Sequence, residues 1–167
     1  MSEDSYSTTL YTVCFTNFPI TSTGGASFFD VWNIKAPSNS RVEIHEFNLG
    51  QLSSATANNQ QIGIQVLRGS TALGGGATVT PVNLKGWSAA QTAGTSATAP
   101  SSNLASTASA VVVISDNSDF SGNWYYRPDT YEEIVLDKGQ SLNVRVSAPP
   151  VTVQLSGTLI IKEIATP

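Results

Sequence analysis

Hydrophobic positions along this chain recur with a period of two. In Arg41-Val42-Glu43-Ile44-His45-Glu46 the apolar Val42 and Ile44 alternate with charged or polar side chains, and Ile62, Ile64 and Val66 alternate with Gln61, Gly63 and Gln65. Successive side chains of a strand point to opposite faces, so this alternation predicts half-buried strands. The pattern returns over residues 142–146 and 151–155, while Ala110 to Ile114 and Ile134 to Leu136 are unbroken apolar runs that suit buried strands. Further strands are predicted over 10–15, 27–34, 78–82, 124–127 and 158–163, about ten in all.

No window of a dozen residues places apolar side chains at i, i+3, i+4 and i+7, so no long helix is expected. Turn chemistry separates the strands: Thr23-Gly24-Gly25, Ala36-Pro37-Ser38-Asn39, Gly74-Gly75-Gly76, Asp116-Asn117-Ser118-Asp119, Arg127-Pro128-Asp129 and Asp137-Lys138-Gly139-Gln140 all favour tight reversals. Short strands punctuated in this way predict an all-β, antiparallel β-sandwich of about 8–10 strands, with a jelly roll as the leading topology. Two segments depart from the alternation. Residues 1–9, whose one apolar side chain after Met1 is Tyr6, read as a flexible N-terminal arm, leaving 10–167 as a single sandwich domain. Within it, residues 85–109 read as a long Ala/Ser/Thr-rich loop with only Trp87 and Leu104 able to anchor it.

Composition narrows the surface chemistry. Of 167 residues only 12% are charged, against roughly 25% in an ordinary domain. With 22 Ser and 18 Thr in their place, the surface is polar but sparsely charged. A net charge of −4 argues against a nucleic-acid footprint, for which clustered Lys and Arg are needed. One Cys cannot make an internal disulfide. The apolar runs are far shorter than the ~20 residues of a spanning helix, and Met-Ser-Glu-Asp-Ser lacks the basic-then-apolar pattern of a secretory signal. The expectation is therefore synthesis in a cytoplasm, with neither membrane nor nucleic acid as partner.

Catalytic chemistry is hard to place. The single His, His45, stands between Glu43 and Glu46 on the strand face opposite Val42 and Ile44, and no Gly-x-Ser-x-Gly supplies a nucleophile elbow. Cys14, in Thr12-Val13-Cys14-Phe15, has no cation nearby in sequence and is expected to be a buried, inert thiol. Asp116, Asp119, Asp129, Glu132, Glu133 and Asp137 are the only carboxylate cluster, but a glycosidase would need two of them facing across a cleft. Turn capping explains them more simply than a calcium loop, which would need regular alternate ligands and a final Glu. One His and one Cys cannot complete a zinc shell. Gly74-Gly75-Gly76 lacks the Lys of a phosphate loop. The expectation is a non-enzymatic protein with no catalytic residues, metal or cofactor.

Aromatic residues are the remaining candidates for a binding face. Trp124, Tyr125, Tyr126 and Tyr131 cluster beside Arg127 and Pro128, although alternation requires at least one of them to face the core. The candidate interface residues are Tyr6, Trp87, Leu104, Trp124, Tyr126 and Tyr131.

Three stretches carry a resemblance. Ile64-Gln65-Val66-Leu67-Arg68-Gly69-Ser70-Thr71 with Gly74-Gly75-Gly76-Ala77-Thr78-Val79-Thr80-Pro81 is the first; Asn123-Trp124-Tyr125-Tyr126-Arg127-Pro128 followed by 133–142 is the second. The third is the ending Ser156-Gly157-Thr158-Leu159-Ile160-Ile161-Lys162-Glu163-Ile164. Over residues 42–164 the chain resembles the small jelly-roll head-decoration, or cement, proteins of tailed bacteriophages, which bind outside an assembled capsid and clamp neighbouring capsomers. The resemblance implies a virion location on the capsid exterior, the major capsid protein as partner, and a homo-oligomer, dimer or trimer, at a symmetry position. The alternative is a carbohydrate-binding or receptor-adhesion domain of a phage fibre, with a glycan as ligand. A hydrolase using the carboxylates of residues 116–137 is the third reading.

Overall fold

The computed structural model describes residues 8–20, 27–53, 61–69, 76–85, 93–101, 109–118, 123–129, 132–149 and 151–165. Twelve strands run through them: β1 (Thr8–Ile20), β2 (Phe28–Lys35), β3 (Ser40–Ser53), β4 (Ile62–Arg68), β5 (Thr78–Val79), β6 (Val82–Asn83), β7 (Ser96–Thr98), β8 (Val111–Ser118), β9 (Trp124–Tyr126), β10 (Ile134–Leu136), β11 (Ser141–Ser147) and β12 (Val153–Ala165). One sheet has the order β10-β3-β12-β1-β6, with β9 also on β3; the other has the order β5-β7-β2-β11-β4-β8. Strand β9 pairs with Phe47 to Leu49 of β3 and β10 with Val42 to Ile44, so the two act as halves of one interrupted strand. With that pair counted once and β5–β7 set aside, the chain passes from sheet to sheet at every step except from β4 to β8, which are neighbours: β1, β3, β9/β10 and β12 lie in the first sheet, β2, β4, β8 and β11 in the second. The fold is an antiparallel jelly-roll sandwich, as the alternation predicts.

The alternating apolar side chains meet between the sheets. Tyr11, Val13, Val42, Ile44, Leu49, Leu155, Leu159 and Ile161 come from the first sheet, and Ile34, Ile62, Ile64, Val66, Leu142, Val144 and Val146 from the second. A chain of rings runs through the middle. Phe29 packs on Phe18 (6.2 Å), Phe18 on Phe15 (6.5 Å), Phe15 on Trp32 (5.2 Å) and Trp32 on Phe47 (5.9 Å). These contacts seat β1 and β3 of one sheet against β2 of the other. Each fully buried aliphatic or aromatic side chain contributes about 1.5–3 kcal/mol. At the turn between β10 and β11, Gly139 takes φ +72° and the Gln140 N–H donates to the Asp137 carbonyl at 2.9 Å. That reversal needs a residue free to adopt positive φ.

The connection between β4 and β8 departs from the expected loop. Residues 78–82, expected as one strand, divide into β5 and β6, which lie in different sheets although only Thr80 and Pro81 separate them. Pro81, buried and unable to donate to a ladder, marks the corner where the chain crosses between the β1 and β2 margins. The 85–109 stretch, expected to be structureless, contains β7, which pairs with β2, and Ser101, which bridges to Asp30. Its signal was too short to read. Ala97 alone supplies an apolar side chain, fully buried beside Ile34, and one residue carries no period.

Four other expectations change. The run Ala110 to Ile114, expected in the interior, is largely an edge strand with Val111 61%, Val112 48% and Val113 36% exposed. An unbroken apolar run fits burial on both faces, but among the described residues β8 is an edge strand with β4 as its neighbour and both its faces are largely in solvent. Residues 116–118, expected as a turn, continue β8, and Asp116 pairs with Ile64. The segments expected over 151–155 and 158–163 merge into the single strand Val153–Ala165, which runs straight through Gly157, a packing position rather than a turn. Strand β1 begins at Thr8, so Thr8 and Thr9 pair with Ile164 and Glu163, while the rest of the proposed arm, Tyr6 included, lies outside the described residues.

Candidate functional site

The aromatic cluster is mainly a brace for the core. Register places Leu49 opposite Trp124 and Phe47 opposite Tyr126, so both rings face inward and Tyr125 faces out. Trp124 is 8% exposed, stacks on Phe47 at 6.0 Å and donates its indole N–H to Asp116 Oδ2 at 3.0 Å. The half-buried Tyr126 leans on Phe47 at 5.6 Å and donates its hydroxyl to the Glu132 carbonyl at 3.3 Å. Burial, then the negative charges of Glu132 and Glu133, push its phenol pKa above the usual value. Tyr125 is 50% exposed. Trp87, Leu104 and Tyr131 lie outside the described residues, as does Asp119.

The carboxylates do not converge. Asp116 is held by Trp124, Asp137 pairs with Arg41 at 3.2 Å in solvent, and the Glu132 N–H donates to the Asp129 carbonyl in a turn. Among the described residues no three side chains of metal-ligand type come together. His45 is half-buried at a bulge in β3, between Ile44 and Glu46, which pair with consecutive residues of β12.

Cys14 is exposed, not buried as expected. The strand parity explains the reversal: Tyr11 and Val13 point into the core, which sends Thr12, Cys14 and Thr16 to the solvent face of the first sheet. Its thiol lies 3.1 Å from Thr12 Oγ1 and donates to Thr158 Oγ1 at 3.6 Å.

That solvent face carries a groove of about 400 Å³ lined by Cys14, Phe15 and Thr16 of β1, Asn48, Gly50 and Gln51 of β3, Ser156, Gly157 and Thr158 of β12, and Asn123. Cross-strand pairing builds it in rows. Cys14, Thr158, Asn48 and Tyr125 stand side by side across four strands. In the next row β1 bulges, with Thr16 and Asn17 inserted between the paired residues Phe15 and Phe18. Asn17 adopts φ 55°, a left-handed conformation that Asn tolerates better than most residues, and its N–H donates to Ser156 Oγ at 3.2 Å. Gly50 keeps the floor low, since any side chain there would collide with Asn123 Oδ1. Small hydroxyl, thiol and amide side chains thus leave a hollow where larger ones would fill it. In the sequence Cys14 stands out only as a lone thiol, and no local pattern marks the other positions as the lining of one groove.

A second polar feature lies on the outer face of the other sheet. Asp30 is fully buried and accepts from Arg145 Nε at 2.7 Å and from Asn33 Nδ2 at 3.4 Å; Asn143 Nδ2 in turn donates to Asn33 Oδ1. Cross-strand register places these four side chains on one face of β2 and β11. The network ties the two strands together, with the carboxylate satisfying a guanidinium that has left water.

In comparisons with known proteins, no family profile matches the chain and no curated protein matches it.

Proposed function

We propose that the chain is a non-enzymatic viral structural protein that binds the outer surface of an assembled phage capsid and stabilises contacts between capsomers. The resemblance-bearing stretches supply β4, β5, β9, β10, the start of β11 and most of β12, which belong to both sheets of the jelly roll. The observation that carries the reading is strand β8. It is eight residues long, ends the second sheet, presents Val111, Val112 and Val113 to solvent, and carries Asp116 as its single charged side chain. Among the described residues nothing pairs with its outer edge. Free proteins usually blunt such an edge with Lys, Pro or a covering loop. A strand left apolar and open suits a protein whose working state places a neighbour there, either the major capsid protein or a second copy of this chain. The sparsely charged surface fits the same role, since docking would rest on backbone hydrogen bonds, hydroxyls and apolar contact.

The test is co-sedimentation with capsids assembled without the decoration protein, comparing wild type with Val112→Lys. Val112 is 48% exposed, so the substitution leaves the core intact. An edge Lys should lower occupancy at least about tenfold, because strand addition would bury its charge. Wild-type binding that the variant retains in full removes β8 from the interface. No wild-type binding removes the proposed function.

A further inference from the structure

We infer that the groove on the solvent face of the first sheet is a binding site for a neutral saccharide. This inference does not rest on capsid binding. Its first support is unspent hydrogen-bonding capacity: among the described residues, the side-chain amides of Asn48, Gln51 and Asn123 and the Thr16 hydroxyl, all lining the groove, have no hydrogen-bond partner. Each amide offers both donors and an acceptor, and a hydroxyl offers either. A sugar hydroxyl likewise donates and accepts, so amides and hydroxyls match it in kind.

Charge narrows the ligand class further. The groove's lining holds no Lys, Arg, His, Asp or Glu. A phosphate, a carboxylate or a cation would have to give up its hydration there without an opposite charge in return, whereas a neutral polyol would not. The volume of about 400 Å³ lies within the range of small-molecule sites, roughly 300–1,000 Å³.

The third support is Tyr125. It is the cross-strand partner of Asn48, stands on the same face and is 50% exposed, which sets an aromatic ring beside the amide-lined floor. A ring in that place offers its face to the C–H side of a pyranose while the amides take the hydroxyls. The bulge at Thr16 and Asn17 and the bare Gly50 shape the hollow, so the saccharide subsite is a product of strand irregularity rather than of a dedicated loop.

The experiment titrates the full chain with a panel of neutral oligosaccharides built from glucose, galactose and N-acetylglucosamine, with sialylated and sulfated glycans as anionic comparators, following amide resonances by NMR. A neutral glycan should shift resonances of residues 14–16, 48–51, 123, 125 and 156–158. It should also slow alkylation of Cys14, the single thiol in the chain and a groove residue. Tyr125→Ala, at an exposed position, should weaken that binding about tenfold while leaving the unfolding midpoint in place. The proposal is overturned if no neutral glycan moves these resonances, if only anionic glycans do, or if both Tyr125→Ala and Asn48→Ala bind as wild type does. Capsid co-sedimentation of Tyr125→Ala, run alongside, keeps the two readings apart: retained occupancy with lost glycan binding assigns the groove to the saccharide alone.

Discussion

Gly157 is the point at which the packing can be probed most sharply. It sits in the middle of β12, flanked by Phe15 of β1 and Leu49 of β3, with the Trp32 ring from the opposite sheet laid directly over it. A Cβ added there would lie 2.6 Å from Trp32 Cζ2, 2.7 Å from Trp32 Cη2 and 2.8 Å from Phe15 Cε1. Ordinary carbon contacts are about 3.5–4.0 Å, so Gly157→Ala forces roughly 1 Å of relief. Neither ring can give way freely. Trp32 is 1% exposed and held between Phe15 and Phe47. Overpacking of this kind costs about 1–3 kcal/mol, and the lower chain entropy of unfolded Ala returns about 0.5–1 kcal/mol. The net loss, about 1–2 kcal/mol, corresponds in a domain of this size to a Tm lower by roughly 2–8 °C. Urea and thermal unfolding measure it, and a double-mutant cycle with Trp32→Leu should show strong non-additivity, because the smaller side chain makes room for the methyl. A variant as stable as wild type, or additive effects in the cycle, would refute the placement of Trp32 on Gly157.

Two further predictions concern buried polar groups. Asp30→Ala takes away the carboxylate that accepts from Arg145 Nε, whose side chain is only 9% exposed, and should cost about 3–5 kcal/mol in urea unfolding; a loss below about 1 kcal/mol contradicts the buried pair. Tyr11 is held above its ordinary pKa of 10.0 by burial and then by the charge of Glu163, with the Thr9 hydrogen bond acting the other way. Above about pH 10 the unfolded chain therefore releases that proton first, and stability falls as pH rises into that range. Tyr126 acts in the same sense. Urea midpoints should be level near pH 8–9 and drop above about 10, less steeply in Tyr11→Phe; an identical drop in that variant removes Tyr11 from the effect.

Where side chains alternate, as at Val42 and Ile44 or at Ile62, Ile64 and Val66, strand and core could be read directly, since half-burial writes its own period. The sheet margins could not. Strand β8 looks like an interior strand because Val111 to Ile114 is unbroken, but among the described residues it ends its sheet and its side chains are largely in solvent on both faces. Strand β7 is the converse, a weak segment made a strand by the free edge of β2. The groove was illegible for another reason. Its residues come from β1, β3 and β12 and from Asn123, just before β9, and their juxtaposition depends on register and on a bulge at Asn17 that no local pattern announces. Of the aromatic cluster the sequence did show that faces must divide; which ring faced solvent was decided by the pairing of Asn48 with Tyr125.

The most direct test of the proposed role is an image of the native phage particle at a resolution that separates strands. The account predicts density for this two-sheet jelly roll on the capsid exterior, spanning neighbouring capsomers, with β8 at the contact. It also predicts occupancy little changed at about 0.5 M NaCl, where exposed charge pairs are screened. Capsids from infected cells that carry no such density, or density that seats β8 toward solvent and away from every neighbour, would contradict it.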